Sequence, residues 1–152
     1  MKKTHNSPGH YISIIYRHLQ IYLNSRFSVF GFGSGQYHFF NHIAHLGGIT
    51  QKELSSRLAI DKATTAKAIH KLTELGYIEQ RRNKDDKRFN NLYLTEKGQK
   101  ILPEVKEILS ATRLILQKGM SDEECGLSLK LMDIMLENIT EETAKIRGLN
   151  ER

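Results

Sequence analysis

The segment between residues 50 and 94 contains two helix starts, one helix stop and a change of periodicity in close succession. Thr50 and Glu53 have the spacing of a capping box, which predicts a short third helix in the chain. Asp61 can cap a fourth helix, and Gly76 at the C′ position ends it. Because only a short turn separates the two helices, they form a helix-turn-helix.

The sequence after Gly76 changes from helical to strand periodicity. Residues 77–81 and 91–94 are predicted as two short strands, and the polar residues 83–88 between them are predicted as a turn. A two-stranded hairpin directly after a helix-turn-helix makes the unit a winged helix.

Helical patterns flank this unit on both sides. A first amphipathic helix is predicted to end near Phe27, and a second runs from an N-cap at Ser34 to Leu46. Thr95 opens a long helix in which Pro103 causes a kink but no stop, and its apolar stripe is Ile101, Val105, Ile108, Thr112 and Ile115. A capping box from Ser121 to Glu124 opens the last helix, whose stripe is Leu129, Met132, Met135, Leu136, Ile139, Thr143 and Ile146.

The predicted fold is mainly α, of the α+β type, in a single chain over residues 1–152. A winged helix-turn-helix lobe with a two-stranded wing occupies residues 34–98, and residues 1–33 and 99–152 supply the helices of a dimerisation region. The long terminal helices have more apolar surface than so small a lobe can cover, which predicts a homodimer. Packing of these helices on each other within a monomer is the alternative.

Composition narrows the functional classes. The chain is too short for a typical two-domain enzyme, and it contains no nucleophile elbow, phosphate-binding loop or zinc-protease motif, so we expect no enzymatic activity. It has neither an apolar run long enough to span a bilayer nor a signal sequence, which predicts a cytoplasmic protein without a membrane partner.

The single cysteine, Cys125, excludes an internal disulfide and fits a reducing compartment. Its acidic neighbours disfavour the thiolate form and therefore a redox role.

The net charge of +6 is unevenly distributed. Residues 119–152 hold four Lys and Arg against eight Asp and Glu, whereas residues 1–118 hold 19 against nine. The basic part of the chain is therefore the part expected to face a polyanion. Five bases lie on and beside the hairpin, namely Arg81, Arg82, Lys84, Lys87 and Arg88.

The fourth helix has two chemically different sides. A helical projection places the apolar and small residues Thr65, Ala68, Ile69, Leu72 and Leu75 on one side. The other side carries Ala63, Ala66, Lys67, His70, Lys71 and Glu74. Small residues allow close approach to a major groove, and lysines reach phosphates and base edges. A solvated face without a partner is the alternative interpretation of this side.

Residues 54–98 resemble the multiple-antibiotic-resistance regulator (MarR) family of winged helix-turn-helix repressors. The resemblance rests on L-x-x-L-G-Y-I-E-x-R at the end of the fourth helix, on D-x-R at Asp86 to Arg88, and on L-x-L-T-x-x-G at Leu92 to Gly98. It implies that Arg88 enters a minor groove with Asp86 orienting it. It also implies that the major groove is faced by Lys62, Ala63, Thr64, Lys67 and Lys71. Further candidate DNA contacts in the sequence are Thr50, Gln51, Lys84 and Lys87.

The same resemblance implies a ligand-responsive transcriptional regulator, in most cases a repressor, that binds double-stranded DNA. A homodimer would place two recognition helices in successive major grooves, which predicts a pseudo-palindromic operator. Many members of the family are released from DNA by small aromatic ligands, and Tyr11, Tyr16, Tyr37 and Phe40 are the candidate pocket residues here. No cofactor is required on this interpretation.

Two alternatives use the same fold. His38, His42 and His45 lie on one side of the second helix, where they could hold zinc in a metal-responsive regulator. The long helix after the wing supplies no His or Cys to complete such a site, so zinc is disfavoured. The second alternative is a winged helix that binds another protein instead of DNA, which weak salt dependence would reveal.

Overall fold

The computed structural model describes residues 7–83 and 89–150. In chain order its elements are α1 (Pro8–Phe27), a 3-10 turn (Ser28–Phe30), α2 (Ser34–Leu46), β1 (Ile49–Thr50), α3 (Gln51–Leu58), α4 (Lys62–Glu74), β2 (Ile78–Arg82), β3 (Asn90–Leu94), α5 (Glu96–Leu116) and α6 (Asp122–Asn150). The predicted class, mainly α with a small antiparallel sheet and a winged helix, is confirmed.

The chain forms two compact units, residues 1–108 and residues 109–152. The first unit contains the helix-turn-helix and the hairpin together with α1, which the sequence assigned to the dimerisation region. The end of α1 packs on α2: the rings of Phe27 and Tyr37 stack with their centroids 5.2 Å apart. None of the helices in the described stretches is both long and apolar enough to cross a membrane.

The predicted N-cap of α2 is wrong by one residue. Gly33 is the N-cap and Ser34 is the first helical residue. The Asn24 side chain of α1 explains the shift, because its Oδ1 accepts a hydrogen bond from Ser34 N–H at 2.7 Å and another from Ser34 Oγ at 3.0 Å. A Cβ at Gly33 would lie 2.3 Å from that same oxygen, so a larger residue there would displace the Asn24 side chain and its two hydrogen bonds. A side chain from another helix thus caps α2.

The sheet has three strands in the order β1-β3-β2, all antiparallel. The two predicted strands are present: β2 begins and ends one residue later than predicted, and β3 begins one residue earlier. The third strand, β1, was not predicted; in it Ile49 pairs with Leu92 and Thr50 pairs with Asn91. Two residues are too short for periodicity, and β1 is a strand only because β3 is beside it.

An aromatic and aliphatic core fills the first unit. Phe27, Phe39, Phe40, Ile43, Leu54, Ile69, Leu72, Ile78 and Leu92 are its largest fully buried apolar residues, together with Val105 of α5. Phe32 links the helices to the hairpin, since its ring stacks on Phe40 and meets Tyr77 edge-on, each at 5.8 Å between centroids. The Tyr77 hydroxyl donates a buried hydrogen bond of 3.0 Å to Phe30 O. Residues of α3 and α4 pack into this core, and its close packing holds the two helices in fixed positions.

The long helices confirm most of the predicted pattern. α5 continues through Pro103 without a stop, and Val105, Ile108 and Thr112 of its stripe are buried. Ile115 is 56% exposed, so the stripe ends one turn earlier than predicted. In the second unit the capping box is confirmed by hydrogen bonds between Ser121 and Glu124. The apolar residues Leu129, Met132, Met135, Leu136, Ile139 and Ile146 of α6 are all exposed.

Candidate nucleic-acid interface

Local hydrogen bonds define the helix-turn-helix. Thr50 Oγ1 accepts from Glu53 N–H at 3.2 Å, and Glu53 Oε2 accepts from Thr50 N–H at 2.8 Å, which completes the predicted capping box of α3. Ala59 ends α3 in the left-handed conformation with a φ of 52°. Ser55 Oγ then donates to Ile60 O at 2.5 Å, inside the turn. These contacts hold the start of α4 close to the end of α3.

Asp61 caps α4 as predicted. Its Oδ1 accepts a hydrogen bond of 2.8 Å from Thr64 N–H, and this bond lowers the pKa of the Asp61 carboxyl. The corresponding bond from Thr50 N–H lowers the pKa of Glu53. The carboxyl groups of Asp61 and Glu53 are therefore both charged at neutral pH. Each lies at the N-terminus of a helix, where a negative charge is favourable.

The predicted division of α4 into two faces is confirmed. Thr65, Ala68, Ile69 and Leu72 are buried, and the Thr65 hydroxyl donates to Asp61 O at 2.9 Å. The exposed residues are Lys62, Ala63, Thr64, Ala66, Lys67, His70, Lys71, Thr73 and Glu74. His70 and Glu74 approach each other to 3.3 Å near the end of the helix. The first two turns thus present lysines among small side chains.

A cleft of about 330 Å³ lies between the helix-turn-helix and the hairpin strands; we call it the α3–wing cleft. It is lined by Thr50, Gln51, Lys52, Ser55, Lys62, Gln80, Phe89, Asn90 and Leu92. Two lysines supply positive charge, and the hydroxyl and amide groups can donate hydrogen bonds. None of the described residues that line it is acidic, so the cleft suits an anionic group.

The described part of the hairpin shows where its first arginine lies. Arg81 Nε donates to Glu79 Oε1 at 2.8 Å, and the Arg81 guanidinium lies 4.6 Å from the centroid of the Tyr93 ring. Arg81 is thus held against the sheet surface. Asn83 N–H donates to Phe89 O at 2.9 Å where the strands approach the turn. The predicted contacts Lys84, Asp86, Lys87 and Arg88 lie outside the described residues.

The candidate metal ligands do not gather into a site. His42 Nδ1 lies 2.9 Å from the backbone oxygen of His38, and the His38 ring lies against Tyr37 with 3.8 Å between centroids. Burial, and then the proximity of His42, lowers the pKa of His38. Within residues 7–83 and 89–150, no three His, Cys, Asp or Glu side chains, His45 included, are placed to hold a metal ion.

The candidate ligand-pocket residues lie in different environments. Phe40 is fully buried in the core, whereas Tyr11 and Tyr16 are exposed on α1. Tyr37 is partly buried, and burial, with a smaller contribution from Tyr16, raises its pKa. Tyr16 and Tyr37 therefore lie near each other, and the structure does not place Phe40 at a surface with them.

Four residues that line the α3–wing cleft were not predicted as functional residues: Lys52, Gln80, Phe89 and Asn90. Asn90 Nδ2 lies 3.4 Å from Gln80 Oε1 across the strands. Lys52 lies between Thr50 and Glu53 of the capping box, which is the only local signal that marks its position. The strand residues join the cleft through the register of β2 and β3, in which Arg82 pairs with Asn90. No spacing in the sequence reveals that register.

The chain was compared with family models, with curated proteins and with solved structures. The MarR family model matches residues 30–88. The HTH-type transcriptional regulator YybA of Bacillus subtilis is 28% identical over 141 residues, which are 93% of this chain and 94% of that protein. A MarR transcriptional regulator from Methanosarcina mazei is 39% identical, with a TM-score of 0.81 over 88% of this chain and 96% of that one.

A Listeria monocytogenes structure determined with a 26mer DNA has 28% identity and a TM-score of 0.84, over 90% of this chain and 91% of that one. The matched family and the relatives are transcriptional regulators, which confirms both the resemblance and the expectation that the chain is not an enzyme. The chain belongs to the MarR family of transcriptional regulators.

Proposed function

We propose that this regulator binds double-stranded DNA as a homodimer, with α4 in the major groove and the hairpin at the adjacent minor groove. The observation that carries the proposal is the pair of faces on α4: one side is buried in the core, and the other presents lysines among small residues. The Listeria relative of the same fold was solved with DNA. As a DNA-binding protein, it would act in the cytoplasm.

On this proposal, Lys67 and Lys71 reach base edges or phosphates while Ala63 and Ala66 allow the helix backbone to approach the groove. The α3–wing cleft receives one phosphate group of the DNA backbone. Lys62 and Gln51, both predicted DNA contacts, line this cleft, which supports their role in fixing the register of the protein on the duplex.

The homodimer is supported by the exposed apolar surface of the long helices. Leu136 is 62% exposed and Ile139 is 59% exposed, one turn apart on α6. Exposed apolar residues in a helical row are typical of a surface that is covered in the assembled protein. Two copies related by a two-fold axis would read a pseudo-palindromic operator.

We further propose that the protein is a repressor and that a small aromatic ligand releases it. Tyr11, Tyr16 and Tyr37, which are exposed or partly buried, would supply rings to such a ligand. A ligand releases the operator only if it binds the DNA-free arrangement of the dimer more tightly than the bound one.

Selection of bound sequences from random DNA tests this proposal. We expect one enriched pseudo-palindromic motif. Binding to it should weaken steeply with salt. Lys67→Ala should reduce the slope of log K against log salt by about 0.9, because the lysine then no longer neutralises a phosphate. Lys130→Ala, which removes the same charge from α6, is the matched control and should leave the slope unchanged. Salt-independent binding, or equal effects of the two substitutions, would contradict the proposal.

Small molecules that release the selected duplex can then be sought in a screen of phenols and aromatic acids. Repression is tested separately, with a reporter gene placed downstream of the selected motif. Expression that rises when the regulator is present would show an activator instead.

A further inference from the structure

We propose that Lys97 is a positioning residue for DNA binding, because it fixes the C-terminal end of α4. Lys97 lies in the first turn of α5, and its Nζ donates a hydrogen bond of 2.7 Å to Leu75 O. Leu75 is the C-cap of α4, so its carbonyl lies at the end of the helix that favours a positive charge. The ammonium group also lies 4.8 Å from the centroid of the Tyr77 ring.

Two further bonds connect the same two segments. Thr95 Oγ1 donates to Gly76 O at 2.6 Å, and Thr95 N–H donates to Tyr77 O at 3.0 Å. Three consecutive carbonyls after α4 therefore each accept a hydrogen bond from the start of α5. We call this set of residues, Leu75, Gly76, Tyr77, Thr95, Lys97 and Gly98, the α4–α5 junction.

The α4–α5 junction is anchored on the core side as well. The Tyr77 hydroxyl bonds to Phe30 O, and Thr95 Oγ1 also accepts from Gly98 N–H at 3.0 Å to begin α5. The hairpin leaves this junction as β2 after Tyr77 and returns to it through β3 before Thr95. The same residues therefore set the direction of α4 and of both strands of the hairpin.

Of the three hydrogen bonds from the start of α5 to these carbonyls, only that of Lys97 comes from a long charged side chain. A substitution of Lys97 therefore removes this bond without changing the backbone. Its loss leaves the Leu75 carbonyl and the end of α4 less firmly held. Sequence is recognised by contacts to base edges, which require a helix held in the correct orientation, whereas phosphate contacts carry no sequence information directly. This inference rests on the proposed insertion of α4 into DNA.

The test compares Lys97→Met, which keeps the aliphatic stem, with Lys97→Arg, which can donate to the same carbonyl and lie on the same ring. Each variant is titrated with the selected duplex and with random DNA at several salt concentrations. We expect Lys97→Met to weaken binding to the selected duplex about tenfold, a size typical of coupling between sites. Binding to random DNA and the salt slope should stay unchanged, and Lys97→Arg should restore selective binding.

Other outcomes would overturn the inference. A salt slope reduced by about one, with equal losses on selected and random DNA, would make Lys97 a direct phosphate contact. Unchanged selective binding by Lys97→Met would show that the end of α4 needs no fixing by this residue. Lys97 would have a merely structural role if Lys97→Arg did not restore affinity for the selected duplex and if the loss of affinity in both variants paralleled a fall in their thermal midpoints. Failure of the unaltered chain to select any duplex would instead overturn the proposed DNA binding.

Discussion

Gly98 shows how a single side chain would disturb the α4–α5 junction. A Cβ at this position would lie 2.1 Å from the backbone oxygen of Tyr77, which itself accepts a hydrogen bond from Thr95 N–H. Both atoms in this contact belong to backbone segments that other bonds hold in place. The glycine is therefore required by close approach of two chain segments, as it ends the L-T-x-x-G motif of the sequence.

We predict that Gly98→Ala lowers the free energy of unfolding by at least about 2 kcal/mol, since the backbone must shift to admit a methyl group. Gly35→Ala is the matched control, because a Cβ at Gly35 in α2 meets nothing within 4 Å. This control should leave stability unchanged or raise it by up to about 1 kcal/mol. Urea denaturation measures both, and equal stabilities of the two variants would contradict the predicted clash.

Ala59 presents the opposite case, a position where glycine is preferred. Its φ of 52° and ψ of 34° place a residue with a Cβ in the left-handed region at the end of α3. Ala59→Gly should raise the free energy of unfolding by about 0.5–1 kcal/mol, because it relieves this strain. Ala66→Gly in the middle of α4 should lower it by about 1 kcal/mol. Thermal denaturation of both variants checks the sign, and a destabilised Ala59→Gly would refute the argument.

At the scale of the element, α3 and α4 form where the sequence predicted them because their start and stop signals are local. The side chains of Thr50, Glu53 and Asp61 bond to backbone N–H groups within three residues. Such short-range bonds can be recognised from spacing alone. β1 could not be recognised in this way, because its two residues become a strand only by pairing with β3.

The cap of α4 predicts a pH dependence of stability. The hydrogen bond from Thr64 N–H holds the pKa of Asp61 below its ordinary value of 3.8. A lowered pKa in the folded state means that this stabilisation is present above about pH 4 and is lost as the pH falls through the lowered value. We expect the free energy of unfolding to decrease on acidification in this range.

Asp61→Asn isolates this contribution, since asparagine caps a helix without titrating. Between about pH 5 and pH 2.5, its stability in urea should fall less steeply than that of the unaltered chain. A residual slope is expected because the pKa of Glu53 is also lowered and that residue is retained. Identical slopes for the two proteins would show that Asp61 adds nothing to the pH dependence.

At the scale of the whole molecule, the exposed apolar residues of α6 lead to a prediction about assembly. Burial of such residues by a second copy contributes about 25 cal/mol for each Å² removed from water. We predict that Leu136→Glu converts the proposed homodimer to a monomer, measured by sedimentation equilibrium. Affinity for the pseudo-palindromic duplex should fall by a factor of about 100 or more, since the second half-site is no longer held nearby.

Asn138→Glu is the matched control for this substitution, because Asn138 is exposed on α6 outside the predicted apolar stripe. It adds the same negative charge to the same helix and should leave the proposed dimer intact. A dimer that survives Leu136→Glu, or one that Asn138→Glu also dissociates, would contradict assembly through this stripe.

The sequence by itself determined the order of the six helices and of the two hairpin strands, the caps of α3 and α4, and the two faces of α4. These features depend on contacts within a few residues or on the regular period of a helix, so spacing reveals them. The sequence also indicated the correct family, because the motifs around Gly76 and Gly98 consist of residues close together in the chain.

Only the tertiary structure decided which distant residues meet. Asn24 caps α2 from another helix, β1 joins β3, and Lys97 bonds to the end of α4 across 22 residues of sequence. The α3–wing cleft likewise brings Lys52 together with Gln80 and Asn90. Each of these contacts depends on how packed elements are oriented, and that orientation follows from burial of the whole core rather than from any short pattern.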